Sequence, residues 1–246
     1  MIGSPTLIHC PEKRRPGLHL SREFGLLCWN VNKRRGSAQY RRLFERWQRE
    51  WGLELLCLQE ARVRRETPFL LEGFACYAAA NLRSARRYYG VLNASASRPL
   101  DSEAFLSEGR EGFIGPRKSF LLQRHRLASG ATLLLLNVHG INFRENGQYD
   151  RELERMRELL RGHEGPMIVT GDFNGWNLGR QRHLQRFAKV LKLKRLDLSV
   201  GGVKHFWGHP LDMILYRALD PRRFDVPLLP ALSDHNPILV EFTETD

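Results

Sequence analysis

Short apolar runs alternate with amphipathic stretches along most of this chain. Residues 26–29 form a buried-strand pattern that stops at Asn30. Residues 37–51 then place Tyr40, Leu43, Phe44, Trp47 and Trp51 on one helical face, with Arg and Glu opposite. A second buried strand is predicted over 53–58, ending before Gln59-Glu60. Further on, 74–79, 89–94 and 119–127 read as strands of a second sheet, and the Gly-, Ser- and charge-rich stretch 95–116 reads as loop. Residues 131–139 are a strong strand signal through Leu133, Leu134, Leu135, Leu136, Asn137 and Val138. Helices are predicted over 148–161, through Tyr149, Leu153, Met156 and Leu160, and over 179–191, through Leu184, Phe187, Ala188 and Leu191. Strands over 167–169, 211–216 and 237–242 complete the alternation. No repeat or linker interrupts it. Residues 1–22 read as an irregular basic arm, and 23–246 as one α/β domain with two sheets.

Composition narrows this modestly. The chain has 246 residues, 42% hydrophobic and 27% charged, which suits an ordered globular domain. The net charge of +12 is carried mostly by arginine and favours phosphate polyanions or anionic headgroups as partners. Cys10, Cys28, Cys57 and Cys76 lack metal-ligand spacing and read as reduced, mostly buried thiols, which fits a cytoplasmic protein. No signal-peptide pattern is read in residues 1–24, and no apolar run approaches the roughly 20 residues of a membrane span, so no stable membrane insertion is expected.

The predicted strands share one property: chemistry-bearing residues stand at their ends. These are Asn30, Glu60, His139, Asp172, Asn174, Asp212, Asp234 and His235. Loops at strand ends commonly supply active-site side chains on a rigid core. Hydrolysis of a phosphodiester needs a hard cation, an oriented water and a stabilised leaving oxygen. Glu60 suits a metal ligand, with Asn30 beside it and Asp234 as a further candidate. Asp172 suits the orientation and deprotonation of water, and Asn174 suits donation to a phosphate oxygen. His235, oriented by Asp212, would polarise the phosphate or act as an acid. Lys118 reads as a solvated lysine or as one within reach of phosphate, Trp207 as core or as a stacking platform, and the face with Arg180, Arg182, Arg186, Lys189 and Lys192 as a solvated face or a groove wall.

Trp29-Asn30-Val31-Asn32, Leu58-Gln59-Glu60, Gly171-Asp172-Phe173-Asn174, Leu211-Asp212 and Ser233-Asp234-His235-Asn236-Pro237 stand in the order found in the endonuclease/exonuclease/phosphatase superfamily, which the chain resembles over residues 24–242. Two further stretches, 136–143 and 208–217, resemble the bacterial YafD-like branch. The resemblance implies a four-layer αββα sandwich of two packed mixed β-sheets flanked by helices. It also implies Mg²⁺, or Mn²⁺ as substitute, at Glu60, and the roles above for Asp172 and His235. His139 occupies the position of a catalytic histidine of DNase I-like members, and Asn142 that of a phosphate-contacting asparagine of the exonuclease III branch. DNase I-like members pair that histidine with a mid-chain glutamate; here residues 81–89 carry Arg83, Arg86 and Arg87 and no acid. The expectation is a monomeric, metal-dependent phosphodiesterase acting on nucleic acid, DNA rather than RNA. A phosphatase or phospholipase-type hydrolase on a phosphoinositide or phospholipid, and a basic nucleic-acid-binding protein with a vestigial site, remain as alternatives.

Overall fold

The computed structural model describes residues 6–32, 38–84, 86–110, 115–140, 146–199 and 201–245. In chain order the elements are β1 (Thr6–His9), β2 (Glu23–Asn30), α1 (Ala38–Trp51), β3 (Leu53–Val63), β4 (Ala75–Ser84), β5 (Arg87–Ser95), β6 (Asp101–Arg110), β7 (Arg117–Arg126) and β8 (Thr132–His139). They continue with α2 (Asn146–Leu160), β9 (Met167–Asp172), α3 (Leu178–Val190), β10 (Lys194–Arg195), β11 (His205–Phe206), β12 (His209–Pro210), β13 (Asp212–Arg217), β14 (Leu219–Asp225) and β15 (Ile238–Glu244).

Two mixed sheets form. The first has the order β1-β4-β5-β3-β2-β15-β14, and the second β10-β13-β9-β8-β7-β6. In each, one parallel pair sits among antiparallel neighbours: β2 with β3, connected through α1, and β8 with β9, connected through α2. A parallel pair requires such a crossover, and it brings two strand ends out at the same edge.

Both faces of the central strands are buried, which is why they read as continuous apolar runs rather than alternating ones. Leu133 and Leu135 of β8 pack with Leu26, Leu55, Ile168 and Val240 in a cluster drawn from both sheets. Leu134, Leu136 and Val138 point the other way, into the cluster of Tyr149, Leu153 and Met156 of α2 and Leu184 and Phe187 of α3. On the first sheet Leu27 and Trp29 meet Tyr40, Phe44 and Trp47 of α1. The result is the four-layer αββα sandwich implied by the sequence resemblance.

Polar groups thread the apolar layer between the sheets. Gln59 Nε2 donates to Asn137 Oδ1 at 2.7 Å, and Asn137 Nδ2 donates to Asn93 Oδ1 at 2.7 Å. Asn93 Nδ2 donates to Gln123 Oε1 at 2.9 Å. All four side chains are buried and in pairs they join β3 and β5 to β8 and β7. Such a seam fixes how the two sheets are registered, because any slip would leave buried amides unpaired.

Several sequence expectations need correction. Strands β4 and β5 belong to the first sheet, beside β3, and only β7 of the three mid-chain strands joins the second. Within the arm, Thr6–His9 is a strand paired with β4, so the first 22 residues are not irregular throughout. The stretch 95–116 contains β6, whose polar sequence suits an edge strand. Similarly, β14 carries Pro221 and exposed charge at the other sheet's edge.

Candidate active site

The paired strand ends place the chemistry in one row. His139 of β8 is the direct partner of Asp172 in β9, and Asp172 is the direct partner of Asp212 in β13. On the first sheet Asn30 of β2 partners Gln59 of β3. The packing of the sheets brings the two rows together: Asn30 Nδ2 donates to Asp172 Oδ2 at 3.1 Å. His235 enters from the loop before β15. That loop is sewn to β2 by Trp29 Nε1 donating to the His235 carbonyl at 2.7 Å and by Ser233 Oγ donating to the Asn30 carbonyl at 2.6 Å.

Local backbone geometry aims the side chains. Between Leu58 and Ala61, β3 holds one more residue than its partner β5, so Gln59-Glu60 lie in a β-bulge. Glu60 there has φ of 50°, a left-handed conformation that a glutamate adopts only when its surroundings hold it. Asn174 is left-handed as well, with φ of 51°. Its backbone N–H donates to Asp172 Oδ1 at 3.1 Å, and its Nδ2 donates to the Gly140 carbonyl at 3.1 Å. Gly171 has φ of 139°, and a Cβ there would lie 2.0 Å from the Val138 carbonyl oxygen. The glycine of the Gly-Asp-Phe-Asn motif is therefore what lets β9 approach β8 closely enough to align Asp172 with His139.

Arg180 supports the same loop. It was expected on the exposed face of the third helix, but it is fully buried, donates through Nη1 to the Asn174 carbonyl at 2.7 Å, and lies over the rings of Tyr149 and Trp176. The helical pattern could not reveal this, because the guanidinium reaches back past Asn177, the N-cap, toward the preceding turn.

The electrostatics follow from burial and pairing. His235 Nδ1 and Asp212 Oδ2 are 2.7 Å apart. Burial opposes charge on His235, but Asp212, and then Asp172, outweigh it and lift the imidazole to about 9. The Asp172 carboxyl is pushed up to about 6 by its burial and by the nearby charge of Asp212, against the pull of His235, Asn30 and Asn174. His139 Nε2 lies 3.7 Å from Glu60 Oε1, 3.9 Å from Asp172 Oδ2 and 3.1 Å from Lys118 Nζ. The acid beside His139 is thus Glu60 rather than a residue of 81–89. Of the two readings of Lys118, the solvated one fails: the side chain is buried against the site.

One expected metal ligand stands apart. Asp234 turns to Lys204, Nζ to Oδ2 2.5 Å, and is half exposed. Asn30 spends its amide N–H on Asp172 and its carbonyl on the Asn32 backbone N–H. Among the described residues Asp172, Asp212 and His235 bring their ligand-type atoms within 4.8 Å of one another. Asp212 Oδ1 is buried without a hydrogen-bond partner among the described residues, as expected of an oxygen awaiting a cation. The carboxylate oxygens of this group, with Glu60 on the other side of Asp172, suit a divalent metal, and the charged His235 borders them rather than ligating. Asn142 lies outside the described residues.

Residues 27–235, including every one of these site residues, match the family model described as Endonuclease/Exonuclease/phosphatase family. The chain belongs to this family. A UPF0294 protein of Yersinia enterocolitica is 34% identical over 224 residues, 88% of this chain and 82% of the relative. Among solved structures, an endonuclease/exonuclease/phosphatase protein from Beutenbergia cavernae aligns with a TM-score of 0.66 at 14% identity, covering 91% of this chain and 72% of that one. The mannosyl-6-phosphatase Bt3783 of Bacteroides thetaiotaomicron aligns with a TM-score of 0.64 at 17% identity, covering 89% and 99%. At such identities the structural likeness speaks for the fold, which hosts phosphatases as well as nucleases, so substrate must be argued from this chain's own surface.

Proposed function

We propose that the chain is a Mg²⁺-dependent phosphodiesterase that cleaves nucleic acid, DNA in preference to RNA. The observation that supports this substrate is the charge around the site. The bulged end of β3 runs on into Arg64 and Arg65, and the β4–β5 hairpin carries Arg83, Arg86 and Arg87 past the same edge, all exposed. The β6–β7 hairpin lies alongside, joined by Asn81 Nδ2 donating to the Arg117 carbonyl at 2.6 Å, and presents exposed Arg110. Arginines ranged along one rim suit a phosphate backbone longer than a single ester.

In this reading Glu60 and Asp212 would hold the cation, which supplies charge neutralisation at the phosphate when bound. Asp172, fixed by Asn30 and by the Asn174 backbone, takes the proton of the attacking water. His235, its Nδ1 tied to Asp212, presents Nε2 to a phosphoryl oxygen. Asn174 and Asn30 keep Asp172 oriented.

The test is hydrolysis of plasmid, single-stranded and abasic DNA, RNA, a phosphomonoester and anionic phospholipid vesicles in Mg²⁺. DNA cleavage that is lost in Asp172→Ala and His235→Ala, and that becomes less salt-sensitive in the triple variant Arg83→Ala, Arg86→Ala, Arg87→Ala, supports the proposal. Turnover of the phosphomonoester or phospholipid alone rejects the nucleic-acid substrate.

A further inference from the structure

We propose that Lys118 is a substrate-binding residue of the active site, its ammonium placed to contact the scissile phosphate, and that His139 holds it there as a neutral imidazole. The inference rests on the hydrolase reading above and adds to it a cation supplied by the chain itself.

Lys118 Nζ lies 3.1 Å from His139 Nε2. An ammonium has donors and no lone pair, so Nε2 must be the acceptor and the histidine's proton must sit on Nδ1. The same Nε2 faces Glu60 at 3.7 Å and Asp172 at 3.9 Å. Lys118 therefore brings positive charge to the rim of the carboxylate group where a phosphate would be received. With its Nε2 lone pair engaged, His139 has no proton to deliver from that nitrogen. The leaving oxygen at this side of the site meets the lysine instead. A lysine ammonium is a compact charge on a flexible stem, suited to follow a phosphate through its change of geometry.

The surroundings of Lys118 are built for it. Its backbone N–H donates to Ser107 Oγ at 2.9 Å, and that hydroxyl, fully buried, donates to the Gly109 carbonyl at 2.6 Å. This is possible because β6 leaves its register with β7 between Leu106 and Arg110. The irregularity is clamped from α2: Glu152 accepts the N–H groups of Glu108 and Gly109 at 2.6 and 3.0 Å, and Arg155 Nη1 donates to the Leu106 carbonyl at 2.6 Å. Glu152 is itself buried, a costly place for a carboxylate unless the segment it orders matters. A chain of contacts thus runs from the second helix through the β6 irregularity to Lys118 and His139.

Isothermal titration with inorganic phosphate in Mg²⁺ tests this without turnover. Lys118→Met, folded by its unfolding midpoint, is expected to bind phosphate about tenfold or more weakly than wild type, and Lys118→Arg to recover part of the loss. Glu152→Gln is expected to weaken phosphate binding less than Lys118→Met. In hydrolysis, Lys118→Met should lose more on an alkyl-oxygen leaving group than on p-nitrophenolate, which leaves without help. Equal phosphate affinity in wild type and Lys118→Met, or no phosphate binding by wild type, overturns the inference. Phosphate binding that depends on Lys118 in a protein inert toward every ester would instead reject the hydrolase reading and leave Lys118 as an anion-binding residue.

Discussion

His235 Nδ1 stands 2.7 Å from Asp212 Oδ2, and this one hydrogen bond joins the loop feeding β15 of the first sheet to the head of β13 in the second. The contact is both structural and electrostatic. It fixes the orientation of the imidazole and stabilises its charge, which holds His235 near 9 despite burial.

Removing that carboxylate reverses the balance. Asp212→Asn in metal-free protein should bring the His235 titration, followed by NMR, down from about 9 toward or below its ordinary value of 6.5. Catalysis should fall by roughly 10²–10⁴. An unchanged titration would show that Asp212 does not set the charge of His235.

Gly171 and Gly52 make a paired test of backbone geometry. At Gly171, with φ of 139°, a Cβ would meet the Val138 oxygen at 2.0 Å, whereas at Gly52, with φ of 54°, nothing lies within 4 Å. Gly171→Ala should destabilise by more than about 3 kcal/mol, or prevent folding, because the parallel strands must separate. Gly52→Ala should cost about 1 kcal/mol. Comparable losses in denaturant unfolding would contradict the tight β8–β9 approach.

The buried amide seam should behave as a unit. Asn137 accepts from Gln59 and donates to Asn93, so Asn137→Ala strands two buried partners. The expected loss in chemical unfolding is roughly 2–4 kcal/mol. A double-mutant cycle with Asn93→Ala should be clearly non-additive.

Acid stability follows from His125. It is fully buried, with ring contacts to the Ser95 and Ser97 hydroxyls, and burial lowers its pKa from 6.5 to about 3. Below 6.5 the unfolded chain takes up a proton that the native state refuses, so stability is lost as pH falls from 6.5 toward 3. Between pH 6.5 and 4.5 this amounts to roughly 2–3 kcal/mol. His125→Gln should flatten the slope of stability against pH by about one proton in that window. The same slope in both proteins would place the acid sensitivity elsewhere.

The strand ends that carry Asn30, Glu60, His139, Asp172 and Asp212 were legible because both faces of the central strands are apolar and the run stops abruptly at the polar residue. The three helices were legible for the same reason in a different period. Edge strands were not: β6 and β14 carry charge, glycine or proline because an unpaired edge tolerates them, so their pattern resembles loop. The bulge at Glu60 depends on pairing with β5, which no local pattern announces. Lys118 and Arg180 read as solvated, and nothing marked His125 as buried, because each is a polar side chain at an otherwise ordinary position. Their burial is decided by partners far along the chain, His139 for Lys118 and the Ser95 and Ser97 hydroxyls for His125, and in Arg180 by a turn just before its own helix. Asp234 shows the converse: its residue type and place made it a further candidate ligand, and its carboxylate pairs with the nearby Lys204.

The measurement that bears most directly on the site is the rate of supercoiled-plasmid nicking in Mg²⁺, for wild type, for wild type with EDTA, and for Asp172→Asn. The substitution preserves the shape of the side chain at the centre of the His139–Asp172–Asp212 row while removing its charge. Cleavage by wild type is expected, abolished by EDTA and slowed by roughly 10³ in Asp172→Asn. Nicking that proceeds equally in the variant, or wild-type protein inert toward every phosphodiester offered, would contradict a catalytic row centred on Asp172.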